Sequence, residues 1–399
     1  MIEIKDKAGC CGCGACDNAC PAGSISMVPD REGFLYPNVD KRKCINCNIC
    51  VGVCPMLEVT EEKREQSAYL VQIKDEAVRR ESTSGGAFTA IARHIVRGGG
   101  VVFGAAFDDG FEVIHKYVEK EEELEAFRNS KYVQSKIKDT FLQAWDFLNS
   151  GRTVCFSGTP CQIEGLKKFL RREYPNLLTV DVVCRAVPSP LLFQRYLQMQ
   201  RDRRNVAFEK VIFRNKYYGY KYSTMSFIGG SDESLSEYHE GVDSDVYLRA
   251  FFSNICDRPS CYSCKFKKLY RVSDFTIWDC FNVEDYDRKM DDDKGTTKVL
   301  AHTKKAEKLL KAISNDINYL KIDVPAAVKD VHELLHSVCA NPKREAFFAD
   351  LNRLTIEELF KKYFPDSIRV KCERMARRAC YKLGIYNVAK KAVKKIVQR

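Results

Sequence analysis

Beyond residue 66, hydrophobic and polar positions alternate between the spacing of a helix and the spacing of a strand. Apolar residues recur three and four positions apart from 88 to 96, and glycines at 98–100 end this helix before an apolar strand at 101–107. The same order of strand and helix returns at 153–172 and at 177–202. Strands separated by helices of this length predict an α/β body with a largely parallel sheet.

Other segments have patterns of their own. The turn Asp108-Asp109-Gly110 precedes alternating apolar positions and predicts a hairpin. Tyrosine and phenylalanine alternate with polar residues over 205–255, which indicates a β-rich segment, whereas 299–399 has mainly helical spacing. Residues 1–58 show little periodicity, and the charged residues 61–66 are typical of a linker. We therefore expect a multidomain protein of mixed α+β and α/β class, with a small N-terminal domain, an α/β body and a helical C-terminal tail.

Composition and charge limit the classes of function. The chain has 399 residues, 45% hydrophobic and 30% charged, which excludes a disordered or collagen-like protein. No apolar run approaches the roughly 20 residues of a membrane span, and the N-terminus lacks an apolar leader, so we expect a cytoplasmic protein. The net charge is +11, and residues 369–399 supply ten of these charges. The nearly neutral remainder lacks the basic stripe that nucleic-acid binding requires.

The cysteines carry the first chemical signal. Residues 1–58 hold nine of the 19 cysteines, and eight of them form two C-x2-C-x2-C-x3-C-P runs. This spacing is the bacterial ferredoxin pattern, in which the fourth cysteine of each run binds the other 4Fe-4S cluster. The predicted ligands are Cys10, Cys13, Cys16 and Cys54 for one cluster, and Cys44, Cys47, Cys50 and Cys20 for the second. Structural zinc is the alternative, and Cys11 is surplus.

Four further stretches occur together in the body, at 81–88, 130–135, 158–162 and 261–267. With the ferredoxin runs before them, they resemble the coenzyme F420 hydrogenase/dehydrogenase beta-subunit family over roughly residues 1–290. The resemblance implies a flavoprotein that holds FAD in the α/β body and exchanges single electrons with its clusters. It also implies a division into a two-cluster ferredoxin domain at 1–58, an N-terminal α/β region at 67–150, a C-terminal domain with a third cluster at 151–340, and a helical basic tail at 341–399.

Candidate flavin contacts lie in three of these stretches. Glycines before a helix allow a phosphate to approach free backbone N–H groups, and a strand-to-helix junction is the usual ligand crevice of an open α/β sheet. With the resemblance, these observations select Ser84, Gly85, Gly86, Gly158, Thr159, Pro160 and Cys161, and the resemblance alone adds Ser130, Lys131, Tyr132 and Gln134. The alternatives are ordinary turn glycines, a helix N-cap and an exposed lysine.

A third cluster site is expected in the body. Cys256, Cys261 and Cys264 supply three of four ligands, and Cys184 ends a predicted strand at the edge where sites form. Because members of the family carry a cluster in this domain, these four cysteines are the predicted set. Zinc is the alternative metal, and Cys161 or Cys280 are alternatives to Cys184.

The family pattern is not complete, which leaves the substrate open. Arg185-Ala186 stands where the family often has His-Gly, and Trp278-Asp279-Cys280-Phe281-Asn282 keeps only the aspartate of a Gly-Asp-aromatic-Trp-Gly stretch. The leading hypothesis is an iron–sulfur flavoenzyme that takes electrons from reduced ferredoxin or another donor and acts on a second substrate. By resemblance only, that substrate is sugar-linked and belongs to polysaccharide biosynthesis. The alternatives are an electron-transfer subunit of a hydrogenase or dehydrogenase and a polyferredoxin-like relay without flavin.

The basic tail has a pattern of its own. Leu383, Tyr386, Ala389 and Val393 recur at helical spacing among lysines, which predicts a basic amphipathic helix. Such a helix is suited to contact with the inner face of a membrane, and the alternative is a solvated helix that packs on its own domain.

Overall fold

The computed structural model describes residues 1–59, 61–229 and 238–386. In the N-terminal part, two one-turn helices follow the first cysteines of the two runs, α1 (Ala15–Asn18) and α2 (Ile49–Gly52). Each begins after a residue in the left-handed conformation, Gly14 at φ 74° and Asn48 at φ 57°. A two-stranded antiparallel sheet joins them, formed by β1 (Ile25–Pro29) and β2 (Leu35–Val39).

One eight-stranded sheet forms the centre of the body. Its strands are β3 (Ser67–Ile73), β4 (Val101–Phe107), β5 (Val113–Val118), β6 (Val154–Gly158), β7 (Leu177–Val182), β11 (Phe275–Asp279), β12 (Thr297–Ala301) and β13 (Ile317–Ile322). They lie in the order β13-β3-β12-β11-β7-β6-β4-β5. The four neighbours β11, β7, β6 and β4 are parallel, and every other pair is antiparallel.

The sheet is therefore mixed, and the expectation of a largely parallel sheet was wrong. The predicted hairpin is present as β4 and β5. The antiparallel half comes from β3, β12 and β13, and the last of these interrupts a segment with mainly helical spacing. Strands paired across more than 200 residues leave no local signal of their pairing or its direction.

Helices cover both faces of this sheet. They are α3 (Glu76–Glu81), α4 (Ala87–Arg97), α5 (Thr140–Asn149), α6 (Pro160–Leu170), α9 (Lys304–Ala312), α10 (Val324–Val328) and α11 (His332–Leu335). The buried side of α4 packs on one face, and α5 and α6 pack on the other around Phe103, Phe141 and Phe156. The α6 helix starts at a capping box formed by Thr159 and Gln162, with Pro160 in its first turn.

A second, aromatic-rich core lies beside the sheet. It combines α7 (Pro190–Arg204), the antiparallel strands β8 (Lys210–Asn215), β9 (Thr224–Ile228) and β10 (Tyr238–Gly241), and the helices α8 (Val246–Phe252), α12 (Arg344–Leu351) and α13 (Ile356–Tyr363). Phe193, Phe213 and Tyr247 are fully buried in it. The three strands agree with the β-rich pattern of 205–255.

The C-terminal helix α14 (Ile368–Lys382) packs against this second core. Arg374 Nε contacts the buried Glu240 carboxylate at 3.1 Å, Arg378 contacts the same carboxylate, and the Arg377 guanidinium lies 3.3 Å from the centre of the Tyr222 ring. Of the predicted amphipathic pattern, Ala389 and Val393 lie outside the described residues. Among those that are described, no helix combines the length and apolar character needed to cross a bilayer.

Candidate functional site

The second cysteine run and Cys20 surround one pocket in the N-terminal part. Cys20, Cys44, Cys47 and Cys50 are among the residues that line it. Backbone N–H groups already point at two of the sulfurs, from Ile2 to Cys50 Sγ at 3.2 Å and from Ser24 to Cys20 Sγ at 3.3 Å. Hydrogen bonds of this kind stabilise a cluster thiolate and set its reduction potential. The arrangement fits the crossed ligation that the spacing predicts.

The first run forms the corresponding group with Cys54. Burial raises the pKa of the Cys16 thiol, and the neighbouring Cys10 and Cys54 raise it further. Burial also raises the pKa of Cys54, again with a contribution from Cys10. The pKa of Cys13 is raised as well, because burial, Cys16 and Cys10 together outweigh a hydrogen bond with Cys11 that lowers it. The fourth cysteine of the second run therefore lies with the first three of the first run.

The size of these groups matters for the choice between a cluster and zinc. Within residues 1–59, 61–229 and 238–386, no three His, Cys, Asp or Glu side chains converge as they would around a single metal ion. Zinc draws its thiolates to about 2.3 Å from one point, whereas a cubane is bound at the outer corners of a larger body. The crossed ligand sets that the two runs predict are those of the larger body.

A third group of cysteines lies at the edge of the large sheet. The pKa of Cys184 is raised to about 12 by burial, with Lys267 lowering it and Cys161 and Cys264 raising it. The pKa of Cys261 is raised by burial and then by Cys184, with further contributions from Cys264 and Cys161. These four cysteines, Cys161, Cys184, Cys261 and Cys264, are therefore mutual neighbours.

Cys256, a member of the predicted ligand set, is not among the cysteines that influence the pKa of Cys184 or of Cys261. Its side chain is fully buried in the aromatic core, and its pKa is raised by burial and by Asp257. Cys256 was predicted as a ligand because of its spacing to Cys261. Cys161 is distant from Cys261 in sequence and reaches the site from the start of α6. Cys161 was considered as a substitute for Cys184, and it raises the pKa of Cys184, Cys261 and Cys264.

Basic and buried polar groups surround the third group. Lys267 Nζ donates to the carbonyls of Cys184 and Arg185 and to that of Glu333 at 2.7 Å, which fixes a positive charge beside the thiols. Asp257 is a further neighbour of Cys261 and is fully buried; within the described part of the chain, neither of its carboxylate oxygens has a hydrogen-bond partner. Burial raises the pKa of Asp257 to about 8, against the opposing effect of Arg185 and Arg344.

The N-terminal cluster sites are joined to the body by direct contacts. The fully buried Arg258 donates from Nε to the Cys10 carbonyl at 2.9 Å and from a terminal nitrogen to the Leu35 carbonyl at 2.9 Å. Gln134 Oε1 accepts from Arg258 at 3.2 Å and from the Leu35 N–H at 3.1 Å. Gln134, predicted as a flavin contact, thus lies at this junction.

A polar pocket lies at the same sheet edge as the third group, because Asp279 ends β11, the parallel neighbour of β7. The sequence did not single out its residues together. Arg214 Nη1 donates to the Tyr132 hydroxyl at 3.0 Å and contacts Asp279 at 3.3 Å, while the Tyr220 hydroxyl donates to Asp279 at 3.0 Å. The half-exposed Phe281 ring stacks on Tyr220 with 5.0 Å between ring centres. Arg214 and Tyr220 stand in an aromatic-rich segment without a motif, so no sequence signal could find them.

The predicted glycine and serine contacts reach the same pocket or its walls. Ser84 Oγ lies 3.5 Å from the Tyr220 hydroxyl. A Cβ on Gly85 would lie 2.2 Å from the Val71 carbonyl oxygen, and Gly86 has φ +81°. Close packing and the left-handed backbone therefore require glycine at 85 and 86, with or without a bound phosphate. Their role as flavin contacts stays a prediction.

The remaining candidates lie nearby. Ser130 Oγ is 3.1 Å from Thr83 Oγ1. Lys131 is half-buried rather than exposed, and burial lowers its pKa to about 7, with a smaller contribution from Lys116.

At the strand-to-helix junction, a Cβ on Gly158 would lie 3.0 Å from Gln162 Oε1. Thr159 and Pro160 stand at the start of α6 beside Cys161, with Thr159 Oγ1 3.1 Å from Cys161 Sγ.

Two parts of the chain match models of known protein families. Residues 151–325 match the model that describes the C-terminal part of the beta subunit of coenzyme F420 hydrogenase/dehydrogenase. Over those residues, fewer than half of the chain, the sequence is similar to this family. Residues 9–57 match the 4Fe-4S dicluster domain. Of the functions considered from the sequence, these matches support the iron–sulfur electron-transfer subunit of hydrogenase or dehydrogenase type better than the free-standing flavoenzyme.

Comparison with individual proteins gives less information than the two family models. No curated protein matches the chain. Among solved structures, a similar chain occurs in the xenon-derivatised F420-reducing [NiFe] hydrogenase complex from Methanosarcina barkeri, with 15% sequence identity and a TM-score of 0.45. The similarity covers 76% of this chain and 93% of that one.

Proposed function

We propose that this protein is an electron-transfer subunit that conducts single electrons between a partner at its dicluster end and a redox group in its body. The observation that carries the proposal is the contact between the two parts: Arg258 of the body holds the Cys10 carbonyl, and α6 of the body lies against Cys13. A dicluster domain tethered only by a linker would lack such contacts. When bound, 4Fe-4S clusters supply one-electron transfer.

The cysteines divide into an outer and two inner groups. Cys47 is exposed, and the apolar Ile45, which lines the same pocket, is 65% exposed. An apolar surface beside a cluster is suited to a transient electron partner, and reduced ferredoxin is the proposed donor. The group of Cys10, Cys13, Cys16 and Cys54 lies inward, and Cys161, Cys184, Cys261 and Cys264 would hold a third cluster in the body. Identical ligands leave zinc as the alternative at this third group.

The polar pocket of Arg214, Asp279 and Tyr220 is the proposed FAD site. It offers an aromatic surface at Phe281 and a buried guanidinium at Arg214, and α4 begins close by, after Gly86; these features suit a ring system and a diphosphate. FAD, when bound, would exchange single electrons with the clusters and an electron pair with a second substrate. A sugar-linked substrate stays a hypothesis from the resemblance.

The described part of the tail gives partial support to membrane contact. The inward arginines of α14 are used in contacts with Glu240 and Tyr222, so their charge is not available to a membrane. The outward side exposes Ile368 at 82%, Met375 at 71% and Leu383 at 71%. We propose that this side, with the lysines that follow it in the sequence, contacts anionic lipid.

Metal and flavin content test the proposal directly. The protein purified and reconstituted without oxygen is expected to hold three 4Fe-4S clusters and one FAD per chain, and all of them should accept electrons from reduced ferredoxin. Replacement of Asp279 by Asn should release flavin while leaving iron content unchanged. Two clusters, zinc at the third group and no flavin would contradict the proposal and favour a dicluster relay.

A further inference from the structure

The loop that leads into the second cysteine run carries a strong local charge. Lys41, Arg42 and Lys43 follow one another directly before Cys44, and all three are exposed. Residues 369–399 supply ten of the eleven net positive charges, so the rest of the chain is nearly neutral. Three adjacent cations beside a predicted cluster ligand are therefore a local feature and do not follow from the overall composition.

A turn fixes the backbone of this loop. The N–H groups of Lys43 and Cys44 donate to the Asp40 carbonyl at 3.2 Å and 3.1 Å. The Asp40 carboxylate accepts from the Arg42 N–H at 3.0 Å, and Arg42 Nε lies 3.5 Å from it. The Arg42 side chain is nevertheless 93% exposed. The carboxylate of Asp40 thus serves the backbone of the turn, and the turn keeps an excess of positive charge.

An apolar side chain stands among the predicted ligands next to these cations. Ile45 is 65% exposed and lines the same pocket as Cys44 and the exposed Cys47. Asn46 and Asn48 have φ of 55° and 57°, so the backbone turns sharply on either side of Cys47. Protein–protein interfaces commonly combine an apolar centre with a polar rim, and here the centre includes a predicted cluster ligand.

We propose that residues 41–47 form the docking surface for an acidic electron carrier protein. The inference rests on the proposed function, because it assumes that electrons enter at the second cluster site. The cations attract and orient the acidic partner, and Ile45 provides an apolar contact for a brief complex. The carrier gives up one electron and the N-terminal part gains it, with no bond formed or broken. Because Cys47 lies within the surface, a redox partner fits it better than a lipid headgroup, which has no electron to give.

Charge at this surface determines how often the two proteins meet. A patch of one sign raises the association rate of an oppositely charged partner by about 10- to 1,000-fold at low ionic strength. Salt screens the attraction over about 10 Å at about 0.1 M. Reversal of the three charges should therefore slow electron uptake from an acidic ferredoxin by at least about tenfold at low salt. The difference from the wild type should shrink as salt is added.

The test is the triple variant Lys41→Glu, Arg42→Glu and Lys43→Glu in the reconstituted full-length protein. Rapid mixing measures its reduction by an acidic ferredoxin and, separately, by the methyl viologen radical, which is a small cation. The charge reversal should slow the first reaction and speed up the second, because the two reductants carry opposite charge. A changed potential of the second cluster would instead shift both rates in the same direction, and a redox titration measures that potential directly.

The matched control is the triple variant Lys308→Glu, Lys311→Glu and Lys329→Glu. It makes the same change in net charge at exposed positions of the body, on α9 and directly after α10. Wild-type rates are expected with both reductants. Ile45→Ser should also slow uptake from ferredoxin, because it removes the apolar contact, but it should leave the dependence on salt unchanged.

An unchanged rate with ferredoxin in the first triple variant, at full iron content, would overturn the inference. If that variant also lost binding to phosphatidylglycerol vesicles, the cations would belong to a lipid surface instead. A parallel fall in the rates with ferredoxin and methyl viologen would show that the cations act on the cluster and not on docking. The proposed function fails in a different way: ferredoxin then reduces the N-terminal part of the wild type, but no electrons reach the body.

Discussion

Gly165 of α6 stands against Cys13, so that a Cβ on Gly165 would lie 2.9 Å from both Cys13 Cβ and Cys13 Sγ. No real Cβ comes so close to a side chain that cannot move, and Cys13 is held in its place by the run of cysteines around it. A helix of the body therefore requires glycine where it meets a cluster ligand. The first cluster site and the body fit each other as a packed interface.

Gly165→Ala tests this fit. The added methyl group must displace Cys13 or α6, which should destabilise the fold by about 1–3 kcal/mol and reduce the occupancy of the first cluster. Iron content and the electron paramagnetic resonance signal of each cluster measure the effect. Gly52→Ala is the control, because a Cβ at Gly52 meets nothing within 4 Å. Equal iron content and stability in both variants would show that the contact is not tight.

The outer cluster site is tested by Cys47→Ser. Loss of one exposed ligand should remove or weaken the second cluster and abolish electron uptake from reduced ferredoxin, because the outer group is the proposed entry point. FAD should stay bound, since the proposed pocket at Arg214 and Asp279 does not include the N-terminal part. Absorbance of flavin and a stopped-flow reduction assay measure the two effects. Loss of flavin from Cys47→Ser, or its full reduction by ferredoxin, would count against the proposed path. The control is Cys339→Ser, which changes an exposed cysteine outside the three groups of cysteines.

The sequence was most informative where ligands are close together in the chain. The runs ending in Cys20 and Cys54 specify both dicluster sites, because each loop must place three sulfurs around one face of a cubane. The third group could not be completed in this way. Cys161 comes from the start of α6, Cys184 from beyond β7, and only folding brings them to Cys261. The pocket at Arg214 and the antiparallel half of the sheet likewise depend on long-range pairing.

The buried carboxyl group beside the third site should make stability depend on pH. The pKa of Asp257 is raised to about 8 in the folded protein, whereas an unfolded aspartate titrates near its ordinary value of 3.8. A raised pKa means that the folded state binds more protons, so Asp257 contributes stability at low pH that is lost as pH rises towards about 8. The loss amounts to at most about 1.4 kcal/mol per pH unit.

Asp257→Asn removes this dependence. Between pH 6 and pH 8, the free energy of unfolding of the wild-type protein should fall relative to that of the variant, and the variant should be the more stable protein at pH 8. Urea unfolding of anaerobic, loaded protein at several pH values measures the difference. Asp109→Asn changes an exposed residue of the β4–β5 hairpin and controls for the loss of a charge. Parallel pH profiles for wild type and Asp257→Asn would contradict a protonated Asp257.

The tail offers a test that separates its two faces. Replacing Met375 and Leu383 by Glu changes two exposed positions, one on α14 and one directly after its last residue. If this side contacts anionic lipid, the double variant should bind vesicles containing phosphatidylglycerol much more weakly than the wild type, because charge on the apolar side opposes insertion into the interface. Neither protein should bind vesicles of phosphatidylcholine alone. Replacing Glu240 by Gln provides the opposite control, since it loosens the inner contacts of Arg374 and Arg378 and leaves the outer side intact. Equal binding of the wild type and the double variant, or no binding by the wild type, would leave α14 as a helix that packs on its own domain.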